Sequence, residues 1–321
     1  MQMAQVRDAS PKRSGDDSED EPLARRRQRL LRSSGAVERY AITFGEVAIL
    51  HVGGGQVGQR RETGFSCAEL CQLASEVNAT GGATELHQLD AVLPEELRQP
   101  EAEASVLVIR NAARYFGLDV NALLREQKGV QYDKKYWDQR RKKTLNKRAR
   151  YNVVFGEQEV AASEDFQTFS VVSFKRAPLL NQLRQQLATR LGPRAADLNA
   201  EGNHYYEKRS GIGFHGDAER KTVICLSLGA SSKLVYRWRK PRSSENVFAP
   251  IELTLDHGDL YIMSEKATGY DWTQRSKLRL VHAAGADSYI HPKPAVRRKK
   301  KSASSSSSSS SESSSSSSSS D

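Results

Sequence analysis

Apolar positions change their period partway along the chain. Residues 40–51 (YAITFGEVAILH) are rich in β-branched and aromatic side chains and predict a strand or hairpin, with a glycine cluster behind it. Residues 66–77 read as a capped helix and 105–110 (SVLVIR) as a second strand. Residues 112–128 take helical spacing, with apolar positions at Ala112, Phe116, Val120, Leu123 and Leu124. From Tyr151 onward the runs shorten. YNVVF, FSVVSF, GIGFHGD, TVICLSLG, KLVYRW, IELTL, DLYIMS and KLRLVHAAG each fit a strand, and an amphipathic helix over 179–191 interrupts them. Many short strands between turn residues predict a β-sandwich or barrel.

The same pattern divides the chain. Residues 1–35 carry GDDSEDE beside Arg25, Arg26 and Arg27 and lack periodic apolar positions, so they are expected to be a disordered tail. An α+β region over 36–127, a basic connecting segment over 128–150 and a strand-rich domain over 151–292 follow. Residues 293–321 form a basic and then serine-rich tail, also expected to be disordered. Hydrophobic residues make up 37% of 321, enough for a core of one large or two smaller domains. No run approaches the ~18 apolar residues of a membrane span, and the first thirty residues hold no secretory segment. A soluble intracellular protein without a membrane partner is expected. The basic run at 297–301 has the form of a nuclear import signal. Cys67, Cys71 and Cys225 lack the spacing of a disulfide framework or zinc site and read as reduced, buried thiols.

Charge changes the picture at one place. Of a formal net charge of +10, most sits in 128–150, where ten Lys and Arg face only Asp133 and Asp138. Tyr132, Tyr136, Trp137 and Tyr151 interleave with them. Such a segment offers cations to phosphates and flat faces to bases, so DNA or RNA is the expected partner, with Arg140, Arg141, Lys142 and Lys143 as contacts. A solvated basic helix or linker is the alternative.

Two groups of residues suggest chemistry. Gly53, Gly55 and Gly58 have the spacing of a dinucleotide fingerprint, but Gln59–Gly64 opens no apolar helix and no acidic ribose ligand follows, so a hairpin turn is expected. In Gly213-Phe214-His215-Gly216-Asp217, strand alternation would place His215 and Asp217 on one face. His282, in another strand-like run, could supply a third ligand. Two imidazoles and one carboxylate leave positions open on an octahedral ferrous ion, although a zinc hydrolase fits the ligands alone. His257 falls in a polar turn, and His204 and His291 have no supporting spacing.

Asn203-His204-Tyr205 followed by Ile212-Gly213-Phe214-His215-Gly216-Asp217-Ala218-Glu219 resembles the N-x-Y…I-G-x-H-x-D-x-E run of the AlkB-like 2-oxoglutarate dioxygenases. Asp133-Lys134-Lys135, the run over 146–152, Leu198-Asn199-Ala200-Glu201-Gly202-Asn203, the run over 264–272 and His282-Ala283-Ala284-Gly285 resemble a branch found in algae, protists and large viruses. The resemblance spans roughly residues 36–290. It implies a double-stranded β-helix, the jelly-roll core, with an N-terminal α+β region, and it implies Fe(2+), 2-oxoglutarate and O2 as cofactor and cosubstrates. It further implies a reaction that releases succinate and carbon dioxide while hydroxylating a substrate carbon, with demethylation where that carbon is an N-methyl group. By the same resemblance His215, Asp217 and His282 hold the metal, while Asn203 and Tyr205 bind the cosubstrate. The family's carboxylate-binding arginine lies on the strand after the distal histidine. Here residues 286–294 contain none, which leaves Arg297 and Arg298, with Lys293 and Lys221 as lesser candidates. Tyr270, Asp271 and Trp272 and an insertion of polar residues precede His282, a loop that would wall the substrate pocket, the aromatic pair stacking on a base or packing under the loop. An active enzyme on nucleic acid or an associated protein, a catalytically weak nucleic-acid-binding member, and an oxygenase of peptides or small molecules are the three functional readings.

Overall fold

Residue alternation in β1 (Arg39–Gly45) sorts the molecule into layers: Tyr40, Ile42 and Phe44 are buried on one face, while Arg39, Ala41 and Thr43 look the other way into a cavity. The computed structural model describes residues 38–49, 55–138, 140–161, 170–243, 245 and 247–292. After β1, β2 (Val47–Ile49) and β3 (Gln56–Gly58) pair antiparallel; Gly58 ends β3, and Gly53, expected in a hairpin turn, lies outside the described residues. Helix α1 (Cys67–Ala79) opens on a capping box in which Ser66 and Glu69 satisfy each other's backbone N–H groups.

β4 (Ala83–Gln88) and β5 (Ser105–Arg110) follow. The helical spacing of 112–128 is realised in two pieces, α2 (Ala113–Phe116) and α3 (Val120–Gly129). Gly117 adopts φ +64° between them, and the Asp119 side chain caps α3 through the N–H groups of Asn121 and Ala122. The basic segment is neither helix nor linker. β6 (Lys135–Asp138) and β7 (Lys143–Asn146) form a hairpin that pairs Tyr136 with Leu145 and Trp137 with Thr144. Within its turn the Asp138 carboxylate accepts the Arg141 N–H, and Lys142 takes a left-handed backbone conformation.

β8 (Tyr151–Gly156), β9 (Val171–Ser173), α4 (Pro178–Leu191), β10 (Asn199–Tyr205), β11 (Gly211–His215), β12 (Val223–Gly229) and β13 (Ser232–Arg239) come next. β14 (Ile251–Leu255), β15 (Leu260–Met263), β16 (Arg279–Gly285) and α5 (Asp287–Ile290) complete the described chain. The strands form an eight-stranded sheet, β4-β5-β15-β12-β1-β10-β8-β9, and a four-stranded sheet, β11-β16-β13-β14. All pairings within these two sheets are antiparallel except β8 with β9.

Between the sheets Val106, Val108, Val223, Cys225, Tyr236, Trp238, Tyr261 and Leu280 make one core. On the outer face of the large sheet Leu70, Val77, Leu180, Leu183 and Leu187 of α1 and α4 pack on Ile42, Phe44, Ile224 and Ile262. The result is the expected jelly-roll sandwich. Region 36–127 is part of it, because β1, β5 and β4 lie in the same sheet as β12 and β15. No helix among the described residues is long and apolar enough to cross a membrane. Of the three thiols only Cys225 is buried; Cys71 is exposed and Cys67 half-buried at the start of α1, contrary to the expectation that all three are interior.

Candidate active site

The small sheet brings two histidines side by side. β11 pairs with β16 so that Ile212 faces Ala284 and His215 faces His282, and the register shifts between these pairs by one residue. That bulge turns His215 toward its partner, leaving the two ring centroids 4.5 Å apart. The strand ends at His215, so Asp217 arrives by a turn rather than by the alternation expected from sequence. Its N–H donates to the Thr268 carbonyl at 2.8 Å, and a Cβ at Gly216 would collide with the Gly269 carbonyl and with Trp272. The ligating atoms of His215, Asp217 and His282 all lie within 4.8 Å of one another. His215 Nε2 stands 3.8 Å from one Asp217 carboxylate oxygen and His282 Nε2 4.0 Å from the other.

These groups suit a cation. Burial, reinforced by neighbouring His215, pushes His282 down to about 3, and burial also lowers His215 against the pull of Asp217. Both imidazoles are therefore neutral donors. Burial would raise the Asp217 carboxyl, but the Arg220 guanidinium beside it, foremost, holds it below the usual range. The Gly213 carbonyl lies 2.8 Å from His215 Nδ1 and fixes the ring with Nε2 toward Asp217. His282 Nδ1 is buried with no hydrogen-bond partner among the described residues. A pair of neutral imidazoles and a carboxylate, converging without a proton to share, matches the donor set of a ferrous ion with open positions.

A cavity of about 400 Å³ opens beside the three residues. Asn203 and Tyr205 line it from β10, and Asn203 Oδ1 accepts from Arg150 Nε at 2.5 Å. Three arginines reach it, Arg39, Arg150 and Arg220, none of which sequence reasoning had placed in the site. Arg220 lies among Glu219, Glu201 and Asp217 at 2.9, 3.3 and 3.8 Å. Burial alone would lower its pKa, but the three carboxylates raise it and keep it charged. A clue was available in the sequence: Glu219-Arg220 immediately follows the H-x-D turn.

Other candidates move elsewhere. Lys221 does not point inward: its ammonium donates to Glu265 Oε1 at 2.7 Å and to the Glu62 carbonyl, which excludes it as a cosubstrate clamp. Of Tyr270, Asp271 and Trp272, only Trp272 lines the cavity. Asp271 is buried in an ion pair with Lys266 at 2.7 Å, and the Tyr270 ring sits under Lys221 and Arg60. The expected aromatic pair is thus a single tryptophan. Lys293, Arg297 and Arg298 lie outside the described residues. His257 is structural, its Nδ1 accepting from the Gly229 N–H at 3.0 Å, and His204 stacks on Tyr40 on the helix side of the sheet.

A second, larger groove of about 1160 Å³ runs along the β6–β7 hairpin. Lys135, Tyr136, Trp137, Arg140, Arg141 and Arg148 line it; Lys142 and Lys143 are exposed on the hairpin outside its lining. Arg150 and Asn152 belong to both groove and cavity.

Comparison with known proteins agrees with this geometry. A family profile described as the 2OG-Fe(II) oxygenase superfamily matches residues 118–275. An uncharacterised protein of Acanthamoeba polyphaga mimivirus is similar at 34% identity over 256 residues, covering 79% of this chain and 98% of the viral one.

Proposed function

Because the chain belongs to the 2OG-Fe(II) oxygenase superfamily, we propose that His215, Asp217 and His282 hold its iron and that its substrate is a nucleic acid or a nucleic-acid-associated molecule. Membership carries the enzyme class, a 2-oxoglutarate-dependent dioxygenase, together with Fe(2+), 2-oxoglutarate and O2. When bound, iron and cosubstrate supply the oxidation, converting 2-oxoglutarate to succinate and carbon dioxide and placing one oxygen atom on a substrate carbon. The protein's own residues do the rest. Gly213 orients the His215 ring, Arg220 favours the carboxylate form of Asp217, and the Asn203 amide, its oxygen taken by Arg150, would have its N–H groups left for the cosubstrate. Trp272 walls the cavity and offers a flat face to a base.

One observation carries the substrate reading: the basic groove meets the metal-side cavity at Arg150 and Asn152. A polyanion lying along the hairpin would have its backbone against Arg140 and Arg141 while one unit reaches Trp272. The AlkB-like run from Asn203 to Glu219 supports demethylation of an N-methyl base as the reaction on that unit. The basic run at 297–301 lies outside the described residues and supports a nuclear site of action, testable by imaging the tagged chain after Arg297→Ala and Arg298→Ala.

The test is succinate release from 2-oxoglutarate with iron(II), with and without methylated oligonucleotides, read alongside mass spectrometry of the nucleosides. Stimulation by an oligonucleotide, lost in Asp217→Ala, is expected. Stimulation by peptides or metabolites alone would sink the nucleic-acid reading. Tight oligonucleotide binding without turnover would mark a binding protein instead.

A further inference from the structure

Of the three guanidinium groups in the cavity, two form no carboxylate ion pair among the described residues. Arg220 is surrounded by Asp217, Glu219 and Glu201. Arg150 is bonded to Asn203 and continues into the basic groove. Arg39 differs from both. Its planar group lies 4.1 Å over the Tyr205 ring, and its Nη2 donates to the Ser210 carbonyl at 3.3 Å. Its Nε is buried without a hydrogen-bond partner, and no carboxylate pairs with it among the described residues. A half-buried cation whose Nε has no partner is unfavourable to the fold, and an anion in the cavity relieves it.

The topology says why this side chain is there. The resemblance led to the expectation of an arginine on a strand following His282. Among the described residues no strand follows β16; the chain turns into α5. The strand between β10 and β12, antiparallel to both, is β1, from the far end of the described chain. Register places Arg39 directly opposite Tyr205 on one side and Gly229 on the other. Arg39, Thr43, Asn203 and Tyr205 therefore form one polar wall of the cavity, with His215, Asp217 and His282 also lining it.

We propose that Arg39 binds the distal carboxylate of 2-oxoglutarate, so that the first described strand supplies the cosubstrate clamp. The assignment rests on the metal reading above for orientation: the keto acid end faces the three metal-side residues and the distal carboxylate faces β1. A guanidinium already stacked on an aromatic ring has little freedom to lose on meeting a carboxylate, and its fork can engage both oxygens.

The decisive comparison is between 2-oxoglutarate and 2-oxopentanoate, a five-carbon monoanion that keeps the keto acid and lacks the distal carboxylate. Each is titrated calorimetrically into the manganese(II)-loaded full chain, so turnover plays no part. The unaltered protein should favour the dicarboxylate on the order of 100-fold, and Arg39→Ala should reduce that preference to within a few fold of unity by weakening 2-oxoglutarate alone. Arg39→Gln, which keeps the methylenes of the stem and a polar end without the charge, guards against misfolding and should lose the preference equally. Arg39→Lys should restore part of it. A preference that survives in Arg39→Ala or Arg39→Gln overturns the proposal, as does a preference abolished by Arg150→Ala with Arg39 intact. Manganese affinity in the absence of either acid separates the two readings: affinity indifferent to Asp217→Ala sinks the metal assignment alone, while the dicarboxylate preference still decides Arg39.

Discussion

Arg220 is the residue on which the electrostatics of the site turn, since it is buried and within ion-pair distance of Asp217, Glu219 and Glu201. Removing the charge would leave the buried Asp217 and Glu201 and the half-buried Glu219 without their cation. Arg220→Met should destabilise the fold by about 3–5 kcal/mol in chemical denaturation and weaken manganese binding, because the guanidinium beside Asp217 favours its carboxylate form. Lys147 offers the pH dependence. Burial pushes its ammonium down to about 8, with Asp133 and Glu201 opposing the fall and Arg150 adding to it, and its Nζ donates to Asn152. The folded pKa lies below the ordinary 10.5, so between those values the unfolded chain binds more protons and stability rises with pH. A polyanion in the groove favours the charged form. Oligonucleotide affinity should therefore be full below pH 8 and fall above it by up to about tenfold per unit, and Lys147→Gln should flatten the profile. Binding that is level across pH 7–10 would remove Lys147 from the interface. At this scale the convergence of His215, Asp217 and His282 was legible in the sequence, although Asp217 reaches the cluster by a turn rather than by strand alternation. Arg220 was overlooked although Asp217 and Glu219 stand beside it in the sequence, and Arg39 was not legible because strand pairing with distant β10 and β12 sets it on the cavity wall.

Elements were legible where their cause is local. The capping box of α1 is written in Ser66 and Glu69, and the core helix α4 in its apolar spacing at Leu180, Leu183 and Leu187. The β6–β7 hairpin was hidden because its strands are short, four residues each, and a run of cations masks the alternation of Tyr136 and Leu145. Likewise Gly117 and Asp119 split a helical pattern that apolar spacing alone leaves continuous. The hairpin's function belongs to this scale as well. Exposed cations act on a polyanion through counterion release, so reversing Arg140, Arg141, Lys142 and Lys143 to Glu should weaken single-stranded oligonucleotide binding and flatten its logarithmic salt dependence by about 0.7 for each phosphate that is no longer neutralised. Folding should be unaffected, because all four side chains are exposed. An unchanged salt slope would mean that the groove's charge is only a solvated surface.

For the whole molecule, the sequence suggested an α+β region joined by a basic segment to a separate strand-rich domain, and local pattern could not show that the two share a sheet. Strand pairing across more than 150 residues, such as Ile42 with Gly202 and Leu226, leaves no local trace. The family profile begins at residue 118, yet β1, β4 and β5 all precede that point. β1 is an interior strand whose loss would bare the edges of β10 and β12 and uncover Ile224 and Leu226 on the helix side. It would also remove Tyr40, Ile42 and Phe44 from the core. Fully burying side chains of this size contributes about 1.5–3 kcal/mol each, so these three alone rival the ~5–15 kcal/mol net stability of an ordinary domain. A chain cut to 118–292 should therefore show no cooperative thermal transition, although it spans the matched region and all three metal-side residues. Supplying 38–117 as a separate fragment should restore the transition, and with it 2-oxoglutarate binding, because β1 would return both the central strand and Arg39. If 118–292 folds cooperatively alone and binds 2-oxoglutarate as tightly as the full chain, then β1 is neither the keystone of the sheet nor the source of the clamp.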